Sequence, residues 1–471
     1  MIALSLAVYM AICLALGFLA WRRTQTLGDF ILGGRRLGSF VTALSAQASD
    51  MSGWLLMGLP GLAYLAGFDA VWLVLGLIAG TWLNWRFVAA RLRTRTEELG
   101  DALTLPDYFE RRFDDRTRLL RTIAALFILV FFAFYTSSGF VAAGKLFQSL
   151  FDLPYVAAMF CGSIVLLAYT FFGGFLAVSW SDVLQGSLMF FALVLVAALG
   201  LHLAGGSDAF AALAARDPAL LDPLAGDGGA PLGWIGITSL LGWGLGYAGQ
   251  PHILARFMAI RHAGEMATAR RVAMVWVVTV LVAAVLVGFT GVLVLDAPLA
   301  GADSERVFIR MATQLFHPIV AGICLAAILA AVMSTAAAQL LVSSAAFAQD
   351  LYRGLLRPAA GRAELLWVGR AAVLGIAVIA FLLGLDPDSR VLALVSWAWA
   401  GFGAAFGPAI ILSLYWPAMT RGGAIAGIVT GGLTVIVWPR LDGAIFELYE
   451  LVPGFALSWL AIWAVSRWSR R

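Results

Sequence analysis

Runs of about twenty apolar residues recur along the whole of this chain. Each is long enough to cross a hydrocarbon core of ~30 Å at ~1.5 Å per residue. In lipid every backbone polar group needs a partner within the protein, so only helices and closed barrels span. A barrel would show alternating segments of ~10 residues, and these runs do not alternate. Hydrophobic residues make up 62% and charged residues 12% of the chain, where soluble domains carry about 25% charged. The sequence therefore reads as an all-α polytopic membrane protein.

Thirteen candidate spans lie at about 2–21, 39–64, 70–90, 121–146, 155–176, 183–203, 232–250, 272–295, 317–348, 366–385, 391–416, 422–439 and 449–467. The first lacks a basic region before it and is followed directly by Arg22 and Arg23, so it reads as a retained helix and not a cleaved signal. Orientation follows from the loops. With the N-terminus outside and the C-terminus inside, 25 of the 31 basic residues fall on the inner side. The outer side keeps Lys145, Arg216, Arg306, Arg310, Arg390 and Arg440, among acidic loops. The largest inner loop, 91–121, mixes Arg with Asp and Glu. It reads as a solvated topology determinant near anionic lipid, with no call for nucleic acid as a partner.

Several chemistries lack support. The cysteines Cys13, Cys161 and Cys324 stand singly in apolar runs, as small core residues do. The histidines His202, His252, His262 and His317 form no metal-binding motif. Asp50 and Asp182 are isolated carboxylates with no nucleophile–base set beside them, so the chain is not expected to be an enzyme.

The second span is the least regular. Residues 45–61 read Ser-Ala-Gln-Ala-Ser-Asp-Met-Ser-Gly-Trp-Leu-Leu-Met-Gly-Leu-Pro-Gly. Asp50 at bilayer depth costs at least ~2.5–3.5 kcal/mol, and the glycines and Pro60 weaken the helix. Two readings fit: a broken helix whose free backbone groups face a ligand, or a kinked helix with Asp50 bonded to a neighbour. The seventh span repeats the pattern at 240–252, with Gly242, Gly244, Gly246, Gly249 and Pro251. Five spans separate the two, an odd number, so a second copy of the unit would be inserted upside down. Interrupted helices in corresponding positions of two halves point to an inverted-repeat transporter with its site between them. The chain then divides into a first helix with its inner loop (1–38), a first repeat (39–203), an outer loop (204–231), a second repeat (232–416) and two C-terminal helices (417–471).

Ala331, Ser334 and Thr335 share one face of the ninth span. Two hydroxyls, the carbonyl behind them and carbonyls freed near Ala48 and Met51 make an oxygen set suited to a hard cation such as Na⁺. The alternative is that both hydroxyls bond back to their own helix. Tyr135, Trp54, Trp243 and Tyr247 sit mid-span beside Gly or Ser, where they suit a small pocket with an apolar wall. With a single Asn and few intramembrane amides, such a pocket favours a compact zwitterion over a sugar. Asp182, at the inner start of the sixth span, reads either as a helix cap or as a waypoint for a cation. Arg35 and Arg36 read as topology charges that can also form gate ion pairs.

These motifs resemble the sodium/solute symporter family, and most nearly its sodium/proline symporters. Ser-Asp-Met-Ser-Gly-Trp-Leu-Leu-Met-Gly-Leu-Pro-Gly at 49–61 carries the likeness, with Gly-Trp-Gly-Leu-Gly-Tyr-x-Gly-Gln-Pro-His at 242–252. Met-Ser-Thr at 333–335, Gln-Leu-Leu-Val-Ser-Ser at 339–344 and Trp-Ala-Gly-Phe-Gly-Ala-Ala-Phe-Gly-Pro at 399–408 extend it. The resemblance implies a five-plus-five inverted-repeat (LeuT-like) fold and Na⁺-coupled import of L-proline across a bacterial-type inner membrane. It implies Na⁺ as the co-transported ion, held by Ala48, Met51, Ala331, Ser334 and Thr335. It implies a proline site lined by Trp54, Tyr135, Trp243, Tyr247 and Pro251. Asp50 would support the broken helix, Asp182 would lie on the inner sodium path, and Arg35 would act at the gate. Gln47 departs from the pattern, where Gly is expected. Other small solutes (pantothenate, a monocarboxylate, choline or another amino acid) and a sensor that binds without transporting are the alternatives.

Overall fold

Each expected span is a helix or a pair of half-helices in the computed structural model, which describes residues 1–21, 31–172 and 175–469. The arginines at 22, 23, 470 and 471 lie outside the described residues. In chain order the helices are α1 (Ile2–Trp21), α2 (39–66), α3 (Asp69–Glu98), α4 (Leu119–Phe151), α5 (Tyr155–Phe172), α6 (Phe175–Leu203) and α7 (234–259). Then come α8 (Met266–Val294), α9 (Pro318–Leu356), α10 (Arg362–Leu383), α11 (Val391–Tyr415), α12 (Arg421–Val437) and α13 (Leu451–Trp468). Among the described residues nine helices are long and apolar enough to cross a membrane. Both α2 and α7 are broken. The only pairing of extended backbone among the described residues is in isolated bridges such as Leu37–Ile260.

α9 and α11 are the most buried of the long helices. α9 packs on α1, α2, α4 and α6, and α11 packs on α4, α12, α13 and the break of α7. The two half-helices of α2 lie among these helices, so the irregular backbone is enclosed by protein, the condition under which lipid tolerates it. The glycines of α7 have a packing cause. A Cβ on Gly80 of α3 would overlap the Gly244 carbonyl, and one on Gly244 would overlap the Gly76 carbonyl. Backbones touch here because neither helix has side chains in the way.

Two elements differ from expectation. α6 starts at Phe175 and not at 183. The 91–121 segment is not loop throughout: α3 runs to Glu98, and a short helix, Leu105–Arg112, follows, while charges such as Arg95, Asp114 and Arg116 stay exposed. Thr104 caps that helix, its Oγ1 accepting from the Asp107 N–H at 3.1 Å. Arg121 on α4 then reaches Asp350 on α9 at 2.7 Å and Glu110 at 3.0 Å. Arg421 of α12 pairs with the buried Asp115 at 3.2 Å. Asp350 and Asp115 are drawn inward because each finds an arginine on a helix remote in sequence, which composition alone does not reveal.

Candidate functional site

The first half of α2 ends at Asp50, and Met51 leaves the helical region (φ −89, ψ 85). Helical geometry would give the Ala48 carbonyl the N–H of Ser52, four residues on. That N–H instead bonds to the Asp50 carbonyl at 3.1 Å. The Ala48 oxygen is therefore released, and α9 meets it. The Ser334 hydroxyl donates to it at 2.7 Å and the Thr335 hydroxyl at 3.4 Å. Ser334 also lies 3.0 Å from the Ala331 carbonyl. Four of the five expected cation ligands thus converge, and bonding back to their own helix is not the whole account of Ser334 and Thr335. The fifth, Met51, is fully buried at the break itself.

The Asp50 carbonyl is a second focus. It accepts from the Tyr135 hydroxyl of α4 at 3.1 Å and from the Trp54 indole N–H at 3.3 Å. The Asp50 side chain is fully buried. Neither carboxylate oxygen has a well-formed hydrogen bond among the described residues, and its polar neighbour is the Tyr247 hydroxyl. A buried carboxylate in this state is costly unless a ligand or water completes it. Gln47 is also buried, and its carbonyl keeps the Met51 N–H at 3.0 Å.

On α7 a tight turn runs from Trp243 to Gly249, Gln250 is extended (φ −79, ψ 107), and Pro251 opens the second half. Pro suits that first helical position because its missing N–H is not needed there. The Gln250 amide bridges the break to α11, donating to the Gly246 carbonyl at 3.1 Å and the Trp399 carbonyl at 3.2 Å. The Asn84 amide donates to the Tyr247 carbonyl at 3.0 Å. Trp243 stacks with Trp399 (centroids 6.5 Å apart, 26° between planes), and Tyr247 meets the Trp399 ring edge-on at 4.9 Å. The Trp399 indole N–H donates to the Trp243 carbonyl at 2.8 Å. Gly246 leaves space for that indole, since a Cβ there would overlap it. Pro251 faces a small cavity of about 20 Å³ that is also lined by Leu103, Thr104, Pro106 and Ala345.

Asp182 is not a helix cap. Because α6 begins at Phe175, Asp182 lies two turns inside it. Its Oδ2 accepts from the Ser45 hydroxyl of α2 at 2.7 Å and pairs with Arg256 of α7 at 3.4 Å, all three side chains being buried. Arg256 Nε also donates to Ser45 at 3.2 Å. One carboxylate therefore ties both broken helices to α6. Arg35 holds a left-handed backbone (φ 55). It donates to Thr96 Oγ1 (3.1 Å), the Met258 carbonyl (2.9 Å) and the Ala102 carbonyl (3.1 Å), and pairs with Asp101 at 3.3 Å. Beside it the Leu37 N–H bonds to the Ala259 carbonyl, and the Ser39 N–H to Glu265 at 3.1 Å. The Arg261 guanidinium beside Glu265 holds that carboxyl below its ordinary range. This arginine-rich face is closed by contacts between the start of α2 and the end of α7.

Several buried residues, some at the site and some beyond it, were not singled out by sequence reasoning. Lys145 of α4 pairs with Glu305 at 2.7 Å, both buried. Glu305 also accepts the N–H groups of Val391 (3.0 Å) and Leu392 (3.1 Å) at the start of α11, where a helix terminus favours an anion. A signal for this existed: Lys145 is the single lysine of a chain with 31 basic residues. Trp399 lies inside a motif already quoted. His252, buried against the rings of Phe132 (5.6 Å) and Tyr135 (5.8 Å), directly follows Pro251.

Residues 30–431 match the model of the sodium:solute symporter family, leaving α13 outside the matched segment. The chain is 51% identical to the sodium/proline symporter of Escherichia coli over 461 residues, covering 97% of this chain and 90% of that one. It is 47% identical to the high-affinity proline transporter PutP of Bacillus subtilis over 455 residues, covering 96% and 95%. Among solved structures it is similar to a Na⁺-coupled sialic acid symporter in a substrate-bound outward-open state (TM-score 0.80, 20% identity, 99% of this chain and 97% of that one). MhsT in complex with L-phenylalanine is a more distant match in fold (TM-score 0.54, 15% identity, 90% and 97%).

Proposed function

Since the chain belongs to the sodium:solute symporter family, we propose that it is a Na⁺-coupled symporter that imports L-proline across the plasma membrane by alternating access. The family and the relatives are transporters, and the fold is LeuT-like. The observation that carries the mechanism is the Ala48 carbonyl, freed by the break in α2 and met by Ser334 and Thr335. Na⁺ is coordinated there by the carbonyls of Ala48, Met51 and Ala331 and the hydroxyls of Ser334 and Thr335. To accept the ion, both hydroxyls turn their protons away and present lone pairs, which costs little because a hydroxyl rotates freely.

Bound Na⁺ holds the two halves of α2 and the face of α9 in one arrangement, and proline binds beside it. Trp54, Tyr135, Trp243, Tyr247 and Pro251 line the proline site. Asp50 steadies the break through its carbonyl, and its carboxylate supports the nearby positive charge. Asp182, tied to Ser45 and Arg256, and Arg35, tied to the end of α7, hold the arginine-rich side shut until transport requires it to open. The arginine-rich face is cytoplasmic, with the N-terminus outside and the C-terminus inside, and the two repeats are 39–203 and 232–416. At −100 mV one inward charge supplies about 2.3 kcal/mol, before the Na⁺ gradient is counted.

The test is uptake of radiolabelled proline into proteoliposomes under an inward Na⁺ gradient or an equal K⁺ gradient. Uptake with Na⁺ alone, competed by unlabelled proline, is the expected result. No uptake in either overturns the substrate assignment, and pantothenate, monocarboxylates, choline and other amino acids are then compared in the same vesicles.

A further inference from the structure

Tyr449 comes from the segment that leads into α13, yet it is buried against Trp243, a residue assigned to the proline site. Its ring stacks on the Trp243 indole, with centroids 5.4 Å apart and 21° between planes. Trp243 is stacked in turn on Trp399. The two ends of Tyr449 are anchored separately. Its backbone N–H donates to the Ser239 hydroxyl of α7 at 2.9 Å, and its phenol donates to the Ser396 carbonyl of α11 at 2.7 Å. Ser239 lies four residues before Trp243, and Ser396 three residues before Trp399, so each anchor is one turn from the ring it serves. Close packing holds the segment in place: a Cβ on Gly242 would overlap the Val452 side chain.

We propose that Tyr449 is a positioning residue for the substrate site: it fixes the orientation of the Trp243 indole that proline packs against, and so couples the C-terminal helix to substrate affinity. The inference rests on the assignment of Trp243 to the proline site. Neither the family match, which ends before α13, nor the sequence motifs include this residue. The physical reason is preorganisation. An indole stacked on the Tyr449 ring, on a backbone whose Trp243 carbonyl is held by the Trp399 N–H, loses little freedom when substrate arrives. Without the ring the indole samples other rotamers, and proline must order it on binding. A ring that merely fills the core would change the amount of folded protein and leave the affinity of the folded fraction alone.

The experiment measures Na⁺-driven proline uptake by the full-length protein in proteoliposomes. Tyr449→Ala and Tyr449→Leu are expected to raise KM for proline by roughly five- to tenfold, the size of a lost aromatic pair. Maximal rate per folded transporter and half-saturating Na⁺ stay within about twofold. Tyr449→Phe keeps the ring and stays within about twofold of the parent in KM. If Tyr449→Ala does not fold, Tyr449→Leu is read in its place, together with a Trp243→Ala/Tyr449→Leu cycle. Non-additive KM effects support the proposal, and additive effects overturn it. Unchanged KM in both the Ala and Leu variants, with a higher KM in Trp243→Ala, overturns this proposal alone. Unchanged KM in Trp243→Ala overturns the proline-site assignment, and this inference with it.

Discussion

The Ser334 hydroxyl lies 2.7 Å from the Ala48 carbonyl, across 286 positions of sequence. One oxygen belongs to a helix that is regular through this stretch, the other to a helix that has just broken. The pairing is the smallest unit that contains both parts of the proposed Na⁺ site.

Ser334→Ala removes one oxygen from the cation set and leaves the aromatic pocket untouched. The Na⁺ concentration for half-maximal proline uptake should rise about tenfold or more, equivalent to ~1.4 kcal/mol of binding energy. KM for proline at saturating Na⁺ should change far less. Uptake measured over a range of Na⁺ concentrations checks this, and an unchanged Na⁺ requirement would remove Ser334 from the site.

Trp243→Ala takes away the indole that contacts Trp399 and Tyr449. Competition by unlabelled proline should disappear over the concentration range that saturates the parent protein. A binding assay on purified protein separates this from a slower transport cycle. Retained proline affinity would move the substrate elsewhere.

Asp182→Asn removes the negative charge facing the buried Arg256 guanidinium. Breaking a buried pair from one side costs about 3–5 kcal/mol, because the remaining charge stays desolvated. The melting temperature of the detergent-solubilised protein should fall by several degrees. The double variant Asp182→Asn/Arg256→Gln should recover part of the loss. Equal melting temperatures in the parent and the single variant would show that the ion pair does not hold α2, α6 and α7 together.

Lys145→Met leaves Glu305 with the N–H groups of Val391 and Leu392 but without its cation. The single variant should be less stable than Lys145→Met/Glu305→Gln, in which no buried charge remains. Thermal unfolding of the three proteins side by side checks the ordering. A double variant less stable than Lys145→Met would show that Glu305 serves the start of α11 independently of Lys145.

Much of this molecule was legible in its residues. Thirteen spans follow from hydropathy, because a bilayer demands about twenty apolar residues from each crossing wherever it falls in the chain. The breaks in α2 and α7 follow from Gly, Pro and Asp50, which act on their own backbone. Ser334 and Thr335 were readable as one helix face, but whether they bond to their own helix or to another was open in the sequence. The start of α6 was misplaced for a local reason, and the cap reading of Asp182 fell with it: the apolar run starts after Asp182, while the helix starts at Phe175. The partners of Asp182, Ser45 on α2 and Arg256 on α7, are ones that the local sequence does not contain.

Local rules therefore determined where this chain crosses, where it cannot remain helical, and which residues stand at those points. The tertiary structure decided which of them meet. Lys145 and Glu305 are 160 positions apart, Ser45 and Asp182 are 137 apart, and Tyr449 reaches Ser239 over 210. A buried charge or hydroxyl takes whatever partner packing brings within ~3 Å, and packing is a property of the whole set of helices, since each face is shaped by neighbours remote in sequence.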